Sequence, residues 1–312
     1  MRQAKPNFMN YNKFIGFGFF NSLQCIGEKE MKVERIINNN VVSAIDTKGK
    51  EVVIMGKGIG FQAKCGNEID KDMIEKIFSL EGQTTVDKFK ELIANLPLEN
   101  IQVSSDIITY ANKVLKKKLN QNIYITLTDH ISFAIERNNQ GMMFENPLLW
   151  DVQSLYRHEY LIGEYAVALI DKEIGVKLPV DEAASIALHI VNAEYNTAMG
   201  DVMNITKIIP NILHILTDEF GITLEEQTLT FERFVNHLKS LAQRIIKNEQ
   251  LDSIDSAFCD MIKNLYPAEY SCSQKISKYL DEQFQQNIAI EEISILTINI
   301  RRVILANKKI EV

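Results

Sequence analysis

The sequence predicts a multidomain protein with a small N-terminal antiparallel β domain, expected to be dimeric, followed by two all-α helical-bundle domains. Two observations lead to this prediction. The segment 41–55 contains two short apolar runs separated by a turn, which is typical of a β-hairpin. From Thr85 onward the apolar residues follow helical spacing, and one helical pattern occurs twice at an offset of 110 residues.

The predicted β domain is too small to fold stably by itself. Its hairpin pairs Val41–Ile45 with Glu51–Met55, and flanking runs at Met31–Ile37 and Gly60–Ala63 bring the expected number of strands to four. About 35 residues bury too little apolar surface for independent stability. We therefore expect this domain to dimerise.

Helical patterns follow the β domain. Apolar residues within Asp70–Leu80 have helical spacing, and a stripe from Phe89 to Leu96 stops before Pro97. Another stripe runs from Ile107 to Leu115, and we expect that helix to continue through the three lysines at 116–118.

Residues 31–67 combine positive charge with groups that can contact nucleic acid. They contain six basic and three acidic residues, a net charge of +3 in a chain of net charge −7. Three amides stand at 38–40, and the loop 56–61 offers glycines, a cation and an aromatic ring. RNA recognition uses all of these groups. The same residues are also typical of a turn, a tight connection and a core Phe, so both interpretations stay open.

The composition limits the class of protein to which this chain can belong. Apolar residues make up 46% and charged residues 24% of the 312 positions, which is ordinary for a protein that folds in water. The cysteines lack the spacing of a zinc site or disulfide framework, which fits a reducing cytoplasm, and no apolar run reaches the roughly 18–20 residues of a membrane span. We expect no metal, because the cysteine spacing does not indicate a zinc site. We also expect no cofactor, because the loop glycines are not a dinucleotide fingerprint. The four cysteines are Cys25, Cys65, Cys259 and Cys272.

The helical repeat also relates three of the five histidines. Leu155–Tyr160 recurs as Leu265–Tyr270 at an offset of 110, whereas His130 and His237 are related by 107. His189 lies in an apolar helical segment, where an imidazole is often a hydrogen-bonded core residue. A neutral imidazole can also accept a phosphoryl group, whose charge then rearranges a helical interface.

The segment MKVERIINNNVVSAI, with GKEVVIMGKGIGFQ after it, resembles the co-antiterminator RNA-binding domain of the BglG/LicT/SacY family of bacterial transcription antiterminators, and the likeness extends through nearly all of 31–307. Both helical copies resemble PTS-regulation domains. The resemblance implies an RNA-binding domain at 31–86 and regulation domains at 96–200 and 201–312. It also implies a homodimer that binds a hairpin in nascent mRNA, prevents terminator formation and has no enzymatic activity.

The resemblance further implies particular site residues. HPr and a sugar-specific enzyme II of the phosphotransferase system would be the phosphoryl donors. Asp129 would help to position the first site, although it could equally be a helix N-terminal charge. Position 299 is Asn, which departs from the family pattern. An amide cannot accept a phosphoryl group as an imidazole does. The implied RNA contacts are Asn38, Asn40, Gly56, Lys57 and Phe61, with Arg35 as a phosphate partner, and the implied phosphorylation sites are His130, His189 and His237.

Three alternatives have different sequence requirements. An enzyme could use His130, His189 and Glu182 as a metal or acid–base site, but no HExxH, CxxC or nucleophile elbow accompanies them. A PTS-regulated DNA-binding activator would need a helix-turn-helix where the chain shows strand periodicity. The third alternative is an RNA-binding protein that acts on translation or mRNA decay instead of termination, and the family resemblance disfavours it.

Residues 1–30 do not belong to the family pattern, which begins at Met31. Gly27–Glu30 would be encoded by purine-rich codons that resemble a ribosome-binding sequence. We therefore expect Met1–Glu30 to be a mis-called extension. No small-residue cleavage site follows its aromatic segment, so we do not interpret it as a signal peptide.

Overall fold

The computed structural model describes residues 31–46, 49–142, 144–226, 228–249, 251, 255–285 and 288–308. They belong to two compact units that divide between Leu98 and Glu99, which we call the N-terminal unit and the helical unit. The expectation that Met1–Glu30 is a mis-called extension lies outside the described residues.

The N-terminal unit contains a four-stranded antiparallel sheet. Its hairpin pairs Val41 with Met55 at one end and Ile45 with Glu51 at the other, as the alternation of apolar residues predicts. The strands, in their order across the sheet, are β1 (Val33–Asn38), β2 (Val41–Ile45), β3 (Glu51–Met55) and β4 (Lys76–Phe78). This sheet and the helices that follow it confirm the predicted fold class, whereas dimerisation of the β domain stays a prediction.

Both faces of the sheet are buried within this unit. Val42 and Ile54 pack with Met31 on one face. Helix α1 (Gln83–Ile93) packs against the sheet, with the Phe89 ring centroid 5.0 Å from that of Phe78. A salt bridge from Lys90 to Glu51 of β3, at 2.9 Å, adds to this contact.

Two predictions for this unit are wrong. Gly60–Ala63 is not a strand: residues 60–62 form turns, and Gln62 has a φ of 59°. Asp70–Leu80 is not a helix, because Lys71–Met73 forms one 3₁₀ turn and 76–78 pair with β3. An 11-residue helix is marginally stable by itself. Pairing with the edge of the sheet gives residues 76–78 backbone hydrogen bonds that stabilise the strand more than the weak helical pattern stabilises a helix.

Ten helices follow in the described part of the chain from Leu98 to Lys308. They are α2 (Leu98–Leu115), α3 (Ile123–Asn139), α4 (Leu149–Leu155), α5 (Arg157–Ile174), α6 (Val180–Tyr195), α7 (Met199–Phe220), α8 (Leu229–Lys247), α9 (Ser256–Leu265), α10 (Pro267–Phe284) and α11 (Ile290–Lys308). Among the described residues, none of the helices is both long enough and apolar enough to cross a membrane.

Helix α2 ends earlier than predicted. It stops at Leu115 instead of continuing through 116–118, and Lys116 has a φ of 52°. The Oδ1 of Asn112 accepts a hydrogen bond from the backbone N–H of Leu119 at 2.8 Å. This contact draws the chain back over the last helical turn and so ends the helix.

The described residues of the helical unit include two apolar cores. The smaller one joins α2, α3, α5 and α6. The larger one contains residues of α4 to α8, α10 and α11, including Val152 from the first copy of the repeat and Phe234 and Ile300 from the second. The two copies therefore share one core, and α7 runs continuously past residue 200.

Candidate functional sites

The amide and glycine residues predicted to contact RNA come together at one end of the sheet. Asn40 lies in the turn between β1 and β2, and its Oδ1 accepts a hydrogen bond from the Gly58 N–H at 2.9 Å. Its backbone carbonyl accepts a second bond from the Gly56 N–H at 3.0 Å. Asn40 therefore ties the loop after β3 to the turn.

Gly56 is a position in this loop where a side chain has no room. A Cβ there would lie 1.8 Å from the backbone oxygen of Met73, far inside van der Waals contact. The chain can pass this close to residue 73 only with glycine. The path of the loop that follows, which carries Lys57 and Phe61, depends on this approach.

The cation and the ring in this loop are accessible. Phe61 is 66% exposed, which is unusual for a Phe side chain, and Lys57 is exposed as well. Arg35 is exposed on β1, where it pairs with Ser43. These three side chains can therefore meet a ligand without any unfolding of the unit.

Asn38 already has hydrogen-bond partners inside the protein. Its Nδ2 donates to the carbonyls of Ile93 and Ala94, at 3.2 and 3.3 Å, at the end of α1. Its Oδ1 accepts from the Asn40 N–H at 2.8 Å. The side chain thus caps the C-terminus of α1, where unpaired carbonyls need donors.

A second site lies between α3 and α6. Oε2 of Glu182 lies 3.1 Å from Nε2 of His130, and Oε1 of the same carboxylate accepts a hydrogen bond from Arg137. The centroid of the His189 ring is 4.7 Å from that of His130. Asp129, the neighbour of His130, is exposed.

Helix periodicity explains how four chemically active side chains meet here. His130 and Arg137 are seven residues apart on α3, and Glu182 and His189 are seven residues apart on α6. Seven residues are two helical turns, so each pair shares one face. The two pairs then face each other across the helix contact.

Burial controls the protonation of His189. Burial, followed by the charge of the neighbouring His130, lowers the pKa of His189 to about 3. His189 is therefore neutral at pH 7, and its buried Nδ1 has no hydrogen-bond partner among the described residues. Glu182 is only 1% exposed, and a buried carboxylate needs the compensation that Arg137 gives it.

The second copy of the repeat forms the corresponding ion pair from α8 and α11. Arg244 donates to both oxygens of Glu292, at 2.6 and 2.8 Å. The pKa of His237 lies below its usual value, chiefly because the side chain is buried. The charge of Glu292 opposes this shift, and that of Arg244 adds to it. Asn299 occupies the place of His189, and its Nδ2 donates to the Ile295 carbonyl at 2.9 Å.

Sequence reasoning missed the arginines and gave no role to Glu292. The signal was present in the repeat. Arg137 and Arg244 are related by the same offset of 107 as the first histidines, and Glu182 and Glu292 by the offset of 110. Paired residues of opposite charge at both offsets predict an ion pair in each copy. The enzyme alternative treated Glu182 as a metal ligand or acid–base group, whereas it pairs with Arg137.

Comparison with known proteins shows the family of this chain. Residues 31–86 match the CAT RNA binding domain, and residues 105–193 and 211–303 match the PRD domain. The chain is 44% identical over 274 residues to the transcription antiterminator LicT of Bacillus subtilis (strain 168), covering 88% of this chain and 99% of that protein.

Two further relatives carry related names. The beta-glucoside operon antiterminator of Dickeya chrysanthemi is 38% identical over 273 residues, covering 88% of this chain and 96% of that protein. A crystal structure of GlcT CAT-PRDI is 39% identical and covers 53% of this chain and 98% of its own, with a TM-score of 0.47. The RNA-binding match at 31–86 decides against the DNA-binding alternative. The chain belongs to the family of transcription antiterminators that join a CAT RNA-binding domain to PRD domains, and it is not an enzyme.

Proposed function

We propose that this protein acts as a homodimer in the cytoplasm, binding a hairpin in the leader of a nascent mRNA so that the overlapping terminator hairpin cannot form. The observation that carries the proposal is the exposed Phe61 ring, which shares with the exposed Lys57 a loop fixed against the Asn40 turn. An exposed aromatic ring can stack on an unpaired base, and a flanking cation can bind phosphate.

The remaining residues have matching roles in this proposal. Arg35 would bind a phosphate, and Gly56, which is buried, would serve RNA binding through the path of the loop that carries Lys57 and Phe61. Asn40 would contact base edges or 2′-hydroxyl groups with its amide. Asn38 could do the same only by releasing the α1 carbonyls that it now binds, so RNA binding would compete with the end of this helix.

Dimerisation supplies the affinity that one β domain lacks. A single domain at 31–86 would make too few contacts with the hairpin by itself. Two linked copies would bind the two sides of one hairpin, and the second contact would benefit from a high effective concentration. The regulation domains at 96–200 and 201–312 would hold these two copies together.

Histidine phosphorylation would control this arrangement. We expect a sugar-specific enzyme II to phosphorylate His130 or His189 when sugar is scarce, with Asp129 helping to position His130. The added charge would then disrupt the active arrangement of the dimer and inhibit the protein. HPr would modify His237 and favour activity. Asn299 cannot accept a phosphoryl group, so the second PRD domain would carry one acceptor.

The test uses the full chain with purified, phosphorylated HPr. His237→Ala should abolish phosphate transfer to the second PRD domain, measured by mass spectrometry of its peptides. His214→Ala is the control, because His214 is exposed and lies outside the repeat-related positions. Transfer that continues undiminished in the His237→Ala protein contradicts the assignment.

A further inference from the structure

Each PRD domain contains a buried carboxylate that binds an arginine close to the candidate acceptor histidine. In the first domain the Glu182 carboxylate contacts both His130 Nε2, at 3.1 Å, and Arg137. Its side chain is almost completely buried, while those of His130 and Arg137 are 18% and 15% exposed. The anion therefore bridges an imidazole nitrogen and a guanidinium.

The second domain repeats the ion pair with better geometry. Arg244 binds Glu292 through two hydrogen bonds, the bidentate arrangement that guanidinium also forms with phosphate. The charges of both groups act on His237. Its buried Nε2 has no hydrogen-bond partner within the described part of the chain.

A phosphoryl group would compete for the position that the carboxylate now occupies. A phosphate on His130 Nε2 would place its oxygens where the Oε2 atom of Glu182 lies, 3.1 Å from that nitrogen. Two anions cannot share this buried space, because each needs a compensating charge. The guanidinium is the compensating group within reach of both.

We propose that Arg137 and Arg244 bind the phosphoryl group of the modified PRD domains, exchanging it for the Glu182 and Glu292 carboxylates that hold them in the unmodified protein. The proposal rests on histidine phosphorylation and identifies the residues that receive the new charge. A carboxylate displaced from its arginine is left buried between two helices. That instability links phosphorylation to movement of α6 against α3 and of α11 against α8.

The transfer to the second domain is balanced without further reactants. A lone pair on His237 Nε2 forms the new N–P bond while the N–P bond of the donor phosphohistidine breaks. The donor ring keeps that electron pair and takes up one proton, and the His237 ring gives up its Nδ1 proton. Arg244 stabilises the charge on the phosphoryl oxygens during and after the step.

The experiment measures phosphate transfer from phosphorylated HPr to the full chain, as the maximal rate and as the HPr concentration at half-maximal rate. The main variant is the double substitution Arg244→Gln with Glu292→Gln, which removes the ion pair without leaving a buried charge. We expect its maximal rate to fall roughly ten- to a hundredfold, the worth of a charge-assisted hydrogen bond, with little change in half-maximal concentration.

Further variants separate binding of phosphate from support of the fold. Glu292→Gln alone frees Arg244 and should transfer phosphate at least as fast as the unaltered protein. Arg244→Lys keeps the charge but loses bidentate geometry, so its rate should fall severalfold even if the double variant does not fold. Matched controls are Arg233→Gln, an exposed arginine on α8, and Glu291→Gln, the neighbour of Glu292; both should behave like the unaltered chain.

The outcomes distinguish this inference from the function on which it rests. If His237→Ala abolishes transfer while the folded double variant or Arg244→Lys keeps the full rate, Arg244 does not bind the phosphoryl group and only the inference is wrong. A Glu292→Gln protein slower than the unaltered chain would also contradict it. If the unaltered chain accepts no phosphate, the proposed function itself fails.

Discussion

The loop at 56–61 separates two kinds of residue contribution. Buried Gly56 shapes the loop and cannot be changed without moving the backbone. Phe61 lies at the end of the same loop and remains 66% exposed, so it adds little to the packing of the unit. Its contribution should therefore show in RNA binding and not in stability.

Phe61→Ala tests this separation. Loss of one stacked base costs about 1–3 kcal/mol of binding free energy, so affinity for a leader hairpin should fall roughly ten- to a hundredfold. The midpoint of denaturant unfolding should stay unchanged. Gel-shift titration measures the affinity, and Trp150→Ala, which removes a 79% exposed ring of the helical unit, is the control. Equal affinity for the Phe61→Ala and control proteins would exclude stacking by Phe61.

His189 makes stability depend on pH. Its pKa in the folded protein is about 3, against about 6.5 in an unfolded chain. Because the folded pKa is the lower one, the unfolded state binds more protons as the pH falls from 6.5 towards 3, and stability is lost over that range. The loss attributable to this residue should reach about 2 kcal/mol by pH 5.

His189→Asn should remove that part of the acid sensitivity. The substitution copies Asn299, which occupies the equivalent place in the second PRD domain and bonds to a backbone carbonyl. The difference in unfolding free energy between pH 7 and pH 5 should shrink by about 2 kcal/mol. Urea titrations at the two pH values measure it, with His214→Asn as an exposed control. An unchanged pH difference would mean that His189 titrates normally.

At the scale of helices and strands, the contact between α5 and α6 positions the first histidine site. A Cβ on Gly163 of α5 would lie 2.1 Å from the Ala183 carbonyl of α6. Only glycine allows the two helices to pack this closely. Because α6 also carries Glu182, the separation of these helices affects the His130 contact.

Gly163→Ala should force α6 away from α5. We expect a loss of about 1–3 kcal/mol in unfolding free energy, typical of overpacking. Gly200→Ala is the matched control, because a Cβ there would meet no described atom within 4 Å, and it should leave stability unchanged or raise it by up to about 1 kcal/mol. Guanidinium titration compares the two proteins. Equal stability would contradict the close packing.

Sequence patterns predicted some elements better than others. The β2–β3 hairpin carries its signal in adjacent residues, and each long helix carries several turns of apolar spacing. The β4 strand could not be predicted, because it forms only through pairing with β3, which is distant in sequence. The end of α2 depends on one side chain, Asn112, which reaches a backbone group seven residues later.

The same distinction applies to the site residues. The repeat predicted which histidines correspond, and the structure places His130 beside His189. The signal for Arg137 and Arg244 lies only in the comparison of the two copies, which relates each arginine to a glutamate on another helix. A charged side chain on a helix is usually solvent-exposed, so nothing local to either arginine indicates a buried ion pair.

At the scale of the whole molecule, the two PRD domains are linked by more than apolar packing. Lys239 of α8 is buried, donates to the Leu155 carbonyl of α4, and lies 4.3 Å from the centroid of the Tyr156 ring. Burial lowers the pKa of this lysine. Such contacts connect the helix that carries His237 to helices of the first domain. Phosphorylation of one domain should therefore change the conformation of the other.

The central claim is that two copies of the chain bind one RNA hairpin. The most direct measurement is the mass of the complex between the full, unphosphorylated protein and a leader hairpin, obtained by light scattering during size-exclusion chromatography. We expect two chains for each hairpin. A complex of one chain with one hairpin, formed at the same affinity, would contradict it.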